Sequence, residues 1–321
     1  MRVAIIGAGG IAREHKRAYA SLDGVELVGA ADPSEAARTC VESDWGVAAF
    51  ATVEELLDGA KPEAVSICSP PKYHPDAAIA CLERGVAVLC EKPLAMNGEE
   101  AERIAASARA TGTPLGVAFC HRFHPPVMMV KEAIAAGRIG RVMMFRNRFG
   151  GKQDMSGRWF ADPDVAGGGA LMDTAVHSVD LFRFLVGDPT WVTGASADLA
   201  GHYDLEDSGI ITLGTATGAF GVIEASWSTP ASANIIEVYG SDGAAVVDYS
   251  TGETKILGKG ESAWESLTWS GPDRFEREVE AFIAAVRNKA PVPVTGEDGL
   301  AASRILDAAY RSAKGGIRVD M

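Results

Sequence analysis

The 321-residue chain is short of several things, and each shortage excludes something. No apolar run approaches the roughly 20 residues that a helix needs to cross a bilayer, which argues against a membrane protein. The opening Met1-Arg2-Val3-Ala4-Ile5-Ile6 has one basic residue and too brief an apolar core for a secretory leader, and reads as a strand. Basic residues number 30 against 43 acidic ones, a net charge of −13. Such a chain repels phosphate backbones, which argues against a nucleic-acid partner. The five cysteines (Cys40, Cys68, Cys81, Cys90, Cys120) form no C-x-x-C pair and no zinc or iron–sulfur pattern; reduced thiols in a cytoplasmic protein are the simplest account. No repeat or low-complexity segment interrupts the chain. What remains, 47% apolar and 23% charged, is the composition of a soluble globular protein long enough for two domains.

The first 120 or so residues alternate apolar runs with stretches of helical composition. Val3–Ile6, Val25–Ala30, Ala64–Ile67, Val86–Cys90 and Leu115–Phe119 are nearly continuous apolar runs, as expected of strands covered on both faces. Between them Ala12–Leu22, Glu35–Glu42, Val53–Asp58, Pro75–Arg84 and Gly98–Thr111 read as helices. This rhythm predicts a doubly wound parallel sheet with a ligand along its carboxyl edge. Beyond residue 122 the rhythm changes. Helices are expected at Pro126–Ala136 and Gly169–Leu185, strands at Arg141–Phe149, Trp191–Ser196, Gly209–Thr215, Ala219–Ser228, Ile235–Tyr239 and Ala244–Tyr249, and two closing helices at Asp273–Asn288 and Gly296–Lys314. Closely spaced strands joined by turn signals make an antiparallel sheet. The fold class is therefore α/β, with a doubly wound domain over 1–121, an α+β domain with a large open sheet over 122–321, and the reactive centre in the cleft between them.

Three motifs carry chemistry. Gly7-x-Gly9-x-x-Ala12 follows a strand and opens a helix, the context a dinucleotide cradle needs. Gly7 allows the tight turn, Gly9 lets the backbone approach a pyrophosphate, and the helix N-terminus offers N–H groups such as those of Gly10 and Ile11. Asp32, about twenty residues after the loop, is placed to accept the adenosine ribose hydroxyls. A 2′-phosphate beside it would meet a like charge; two charges about 4 Å apart repel by roughly 4 kcal/mol near a protein surface. No base stands at residues 33–37 to relieve this, although Arg38 could swing in, so NAD is favoured and NADP is not excluded.

Glu91-Lys92-Pro93 ends the run Val86–Cys90 at the same carboxyl edge. A desolvated Lys92 would serve as a proton donor or hydroxyl clamp, whereas a strand-end lysine in water would do neither. Asp173 and His177 stand four apart, on one face of the expected helix. That spacing suits acid–base work, with histidine titrating near neutrality, and equally a surface ion pair; no third residue completes a metal set. Ser69-Pro70-Pro71-Lys72-Tyr73-His74 follows the Ala64–Ile67 strand, where Ser69 could donate to a phosphate or ribose or simply start a turn.

The glycine loop, Glu91-Lys92-Pro93 and the stretch Gly167-Gly168-Gly169 through His177 resemble the Gfo/Idh/MocA oxidoreductases, with His121-Arg122-Phe123, Glu237 to Gly243 and Ala309 to Ala313 extending the likeness nearly end to end. The resemblance implies a Rossmann domain followed by an open sheet whose outer face supports a homodimer or homotetramer. It implies NAD(P)-dependent dehydrogenation of a CH–OH group in a sugar, inositol or related polyol. Lys92 would touch nicotinamide and substrate, His177 would act as base and Asp173 would orient. Ser69, Pro70, His74, Glu91 and Arg122 would join the cofactor set, and the peptide before Pro93 would be cis. Relatives that hold NAD tightly and cleave glycosides offer an alternative; a nonenzymatic nucleotide sensor would not need Lys92 and His177. The order Arg158-Trp159 departs from the Trp-Arg pair of many relatives and leaves their individual roles open.

Two further expectations concern surfaces. Met143, Phe145 and Phe149 on one side of a strand, with Val142 and Met144 on the other, call for cover on both faces and hence self-association. Arg138, Arg141, Arg146, Arg148, Lys152 and Arg158, against the single Asp154, form either an anion-focusing patch or a solvated strand face.

Overall fold

The computed structural model describes residues 1–230 and 234–321. The chain divides into two compact units, Met1–Cys120 with Pro272–Ser303, and His121–Gly271 with Arg304–Met321. The division expected after residue 121 thus misses Pro272–Ser303, which packs with the first unit. Among the described residues no helix is long and apolar enough to cross a membrane.

In the first unit, β1 (Arg2–Ile6), β2 (Glu26–Ala31), β3 (Ala48–Phe50), β4 (Ala64–Ile67), β5 (Ala87–Glu91) and β6 (Leu115–Ala118) alternate with α1 (Gly10–Ala20), α2 (Glu35–Cys40), α3 (Val53–Ala60), α4 (His74–Glu83) and α5 (Gly98–Thr111). The six strands are parallel in the order β3-β2-β1-β4-β5-β6. The order reverses between β1 and β4, and a crevice at such a switch point takes the ligand in open α/β sheets. Every residue of β4, β5 and β6 is buried, the physical reason their apolar runs are unbroken.

The second unit contributes α6 (Pro125–Ala135), β7 (Val142–Gly150), α7 (Pro163–Ala166), a single π-turn at Leu171–Ala175 that runs into α8 (Val176–Leu185), and strands β8 (Pro189–Ala197), β9 (Ser208–Thr215), β10 (Phe220–Ser226), β11 (Ile235–Gly240), β12 (Ala244–Asp248), β13 (Glu253–Leu257) and β14 (Glu265–Leu267). Next comes α9 (Arg274–Asn288), which belongs to the first unit: its Val279, Phe282 and Ile283 join a core with Val3, Ile5, Ala12 and Tyr19. α10 (Gly296–Gly315) and β15 (Val319–Asp320) end the chain. Among the described residues the second sheet has nine strands in the order β14-β13-β12-β11-β7-β10-β9-β8-β15 and is antiparallel except for the β7–β10 pair.

Along β7 the inward residues Phe145, Asn147 and Phe149 are buried, with Phe145 edge-on to Phe182 of α8 at 5.7 Å. The other face carries Arg146 and Arg148, joined from β10 and β11 by Glu224 and Glu237. That face is therefore mixed in character, less apolar than Val142 and Met144 alone imply.

Candidate active site

The first unit builds a cradle at the switch point. Gly7 follows β1 with φ +87°, a conformation that side chains other than hydrogen resist, and its N–H donates to Ala31 O at 2.8 Å. A Cβ there would also stand 2.5 Å from the backbone nitrogen of Ser69. Gly9 and Gly10 have no such neighbours: a Cβ on either would meet nothing within 4 Å. Their smallness serves open space over the amino end of α1, where Ile11 also lies, and the buried Ala12 lets that helix pack closely.

Asp32 begins the turn after β2. Its Oδ2 accepts from Ala8 N at 2.9 Å and its Oδ1 from Ser34 N at 2.8 Å, so the carboxylate is fixed beside the glycine loop. Arg38 has indeed come in: its Nη1 donates to the carbonyls of Asp32 (2.9 Å) and Pro33 (2.8 Å). Ser69, after β4, has a buried hydroxyl oxygen with no hydrogen-bond partner among the described residues, and Pro70 starts the turn into α4. An open cradle, a fixed carboxylate and an orphaned hydroxyl fit a dinucleotide, with Gly7, Gly9, Gly10, Ile11, Asp32 and Ser69 as the groups that would hold it.

His74 and Glu91 do something other than expected. The imidazole of His74 is fully buried, with Nε2 2.7 Å from Ser69 O and Nδ1 3.0 Å from Pro93 O. Both nitrogens face backbone carbonyls, so the ring ties the loop after β4 to the loop after β5 rather than reaching for a cofactor. Burial pushes its pKa below the ordinary 6.5, against the pull of those carbonyls. The Glu91 carboxylate points inward, to the buried His15 of α1 at 2.9 Å and to the N–H of Lys92 at 3.1 Å. His15 carried no signal in the sequence beyond being a histidine on the first helix. Lys92 itself is half-buried at the strand end, and the Lys92–Pro93 peptide is cis, as the resemblance implied.

In the second unit Asp173 lies in the π-turn and His177 two residues into α8. Leu171, Met172, Ala175 and Val176 around them are buried, leaving Asp173, Thr174 and His177 as a half-buried strip. The stretch expected as one regular helix thus contains a widened turn, a feature often found at functional sites. The ring of His121 stands 4.5 Å from that of His177, tilted by 57°, and its Nδ1 is 2.9 Å from the hydroxyl of Tyr249. Fifty-six residues separate the two histidines, so no local spacing signals this second imidazole beside His177.

Arg122 also departs from expectation. Its guanidinium is buried in a two-pronged bridge to Asp180 of α8, Nε to Oδ2 at 2.8 Å and Nη2 to Oδ1 at 2.6 Å. That fork anchors α8 from below, three residues past His177, and gives no support to a cofactor contact. Arg158 and Trp159 lie at a short turn, both packed on Phe160.

Residues 1–119 match the family described as "Oxidoreductase family, NAD-binding Rossmann fold", and residues 127–246 match the "GFO/IDH/MocA C-terminal domain". Inositol 2-dehydrogenase of Rhizobium meliloti (strain 1021) is 31% identical over 97% of this chain and 96% of its own. D-glucoside 3-dehydrogenase of Escherichia coli (strain K12) is 28% identical over 100% and 97%. Among solved structures, levoglucosan dehydrogenase in complex with NADH and levoglucosan superposes with a TM-score of 0.93 at 24% identity, over 100% of this chain and 99% of that one, and so shares the fold. The chain belongs to the Gfo/Idh/MocA family of oxidoreductases, and its first unit is the NAD-binding Rossmann domain.

Proposed function

We propose that this oxidoreductase oxidises a secondary alcohol of an inositol or a cyclic sugar. The observation that carries the reading is the near full-length likeness to an inositol dehydrogenase and a glucoside dehydrogenase, one for each substrate class. When bound, NAD supplies the hydride acceptor. Asp32 holds its ribose end, the glycine loop its phosphates, and Ser69 an oxygen nearby. His177 takes the hydroxyl proton, Asp173 orients the imidazole or the substrate, and Lys92 donates a hydrogen bond to the substrate oxygen.

The substrate is uncharged: of the basic run at residues 138–158, Arg138 is bridged to Glu261 and Glu265, Arg146 to Glu237, and Arg148 stands in register with Glu224, which supports a solvated face over an anion-focusing patch. We also propose that the outer sheet face meets a second copy, since it sets Arg146 and Arg148 beside Glu224 and Glu237, with exposed Ile210 and Phe220 on the adjoining strands β9 and β10. Five unpaired thiols suit a cytoplasmic protein.

A panel of inositols, neutral sugars, sugar acids and sugar phosphates, followed by NADH absorbance, tests the reading. Turnover of a neutral ring alcohol is expected. Protein that binds NADH yet oxidises none of them would contradict it, and clear preference for acids or phosphates would contradict the uncharged substrate.

A further inference from the structure

We infer that Glu206 and Tyr310 are positioning residues: together they hold the amino end of the helix that carries Asp173 and His177, and so fix where those side chains stand. This rests on the role proposed for His177.

The first four N–H groups of a helix have no partner within it. Here they belong to Gly169, Ala170, Leu171 and Met172, because Asp173 N is the first to reach a carbonyl of its own helix, Gly169 O at 2.9 Å. No residue at 167–170 has a side chain able to cap them. The caps come from far along the chain. Glu206 Oε1 accepts from Gly169 N at 2.9 Å and Leu171 N at 3.1 Å, and the Glu206 carbonyl from Ala170 N at 2.9 Å. The Tyr310 hydroxyl in turn donates to that same Glu206 Oε1 at 2.7 Å. Three of the four orphan donors are therefore taken by Glu206, just before β9, and Tyr310 on α10 holds the carboxylate that takes two of them.

The glycine run is cut to fit them. A Cβ on Gly169 would lie 1.8 Å from the Glu206 carbonyl oxygen, and one on Gly168 2.2 Å from the Tyr310 hydroxyl. The Glu206 carboxylate also sits at the positive end of the helix dipole. Burial and that neighbouring charge raise the Tyr310 pKa well above its ordinary value, which keeps the hydroxyl a donor. Asp173 lies within a turn of this anchor and His177 within two. The intervening residues form a π-turn, whose spacing differs from the rest of the helix, so the register of both side chains is referred to the anchored end. Misplacement of a catalytic group by about 1 Å costs up to ~10²-fold in rate, so a small slip here is felt at the chemistry.

The test uses the full-length protein with NADH bound, in three forms: Tyr310→Phe, Glu206→Ala and Glu206→Gln. Two readouts are taken, steady-state kinetics on the best ring alcohol and amide hydrogen exchange across residues 167–177. Tyr310→Phe should lower kcat about 10-fold while KM for NAD stays within about two-fold, the signature of lost positioning rather than lost binding. Exchange should accelerate about 10-fold at 169–172 and remain unchanged in the first unit. Glu206→Ala should do more of both, and Glu206→Gln, which keeps an acceptor oxygen, should return kcat to within roughly three-fold. Wild-type kcat and exchange in folded Tyr310→Phe overturn the inference; so does faster exchange spread evenly over the molecule, which marks general destabilisation. If Glu206→Ala does not fold, Tyr310→Phe decides alone. A wild-type protein that oxidises no ring alcohol removes the proposed activity, while the exchange comparison still upholds or overturns the anchor.

Discussion

His15 Nε2 lies 2.9 Å from Glu91 Oε1, with His15 0% and Glu91 7% exposed. A run of buried hydrogen bonds continues from this pair. The Glu91 carboxyl group also accepts from Lys92 N–H at 3.1 Å. His15 Nδ1 lies 2.9 Å from Ser66 Oγ, and Ser66 Oγ lies 2.6 Å from the hydroxyl of Tyr19. The chain of bonds ties α1, whose amino end faces the cradle, to β4 and to β5, which ends one residue before Lys92.

Breaking this link should therefore be costly. His15→Leu leaves a buried carboxylate and the Ser66 hydroxyl without their partner and should remove about 3–5 kcal/mol of unfolding free energy. Urea denaturation measures it. A loss below about 1 kcal/mol would show that the buried pair contributes little.

Stability should fall on mild acidification. Because burial holds His74 below its ordinary 6.5, the unfolded chain binds a proton near that pH which the folded one refuses. The contribution is full above the ordinary value and is lost as pH falls toward the lowered one. Calorimetry from about pH 7.5 down to about pH 5 should show a declining melting temperature, with a shallower decline in His74→Asn. Equal slopes in the two proteins would contradict this assignment.

Cofactor choice should favour NAD, with Asp32 as the main determinant and Arg38 as a moderating neighbour. Asp32→Ala should narrow the kcat/KM advantage of NAD over NADP, and Arg38→Ala should widen it, because the guanidinium docked on the Asp32 and Pro33 carbonyls stands where a 2′-phosphate would need a cation. Higher kcat/KM with NADP in the wild type would reverse the assignment.

The outer sheet face should hold two copies together. Multi-angle light scattering at micromolar concentration should give a mass of at least twice 33.6 kDa, and Arg146→Glu with Arg148→Glu should reduce it by setting like charges against Glu224 and Glu237. A wild-type mass of 33.6 kDa would exclude the contact.

Much of this was legible in the sequence where local signals are strong. Ala64–Ile67 and Gly98–Thr111 fall on the observed strand and helix, one a buried apolar run and the other opened by the Asn97 cap and closed by Gly112. Short or late elements left too little pattern: Ala48–Phe50, Glu253–Leu257, Glu265–Leu267 and Val319–Asp320 went unread. α9 was recognised as a helix, but its home in the first unit is a matter of tertiary packing that periodicity does not encode. The site divides the same way. The glycine loop, Asp32 and Lys92 announce themselves by position after strands. The partners that hold the site, His15 for Glu91, Asp180 for Arg122, and Glu206 with Tyr310 for the glycine run, are distant in sequence and emerge only from the fold. The π-turn before His177 is hidden because one widened turn keeps the apolar pattern of an ordinary helix.

The central claim is that His177 accepts the proton as the alcohol is oxidised. The most direct measurement is kcat of His177→Ala beside the wild type on the best ring alcohol, at saturating NAD. Loss of a positioned acid–base group should lower kcat by about 10²–10⁴-fold, with NADH affinity preserved because Asp32 and the glycine loop are untouched. Turnover within about three-fold of wild type would contradict the assignment of His177 as the base.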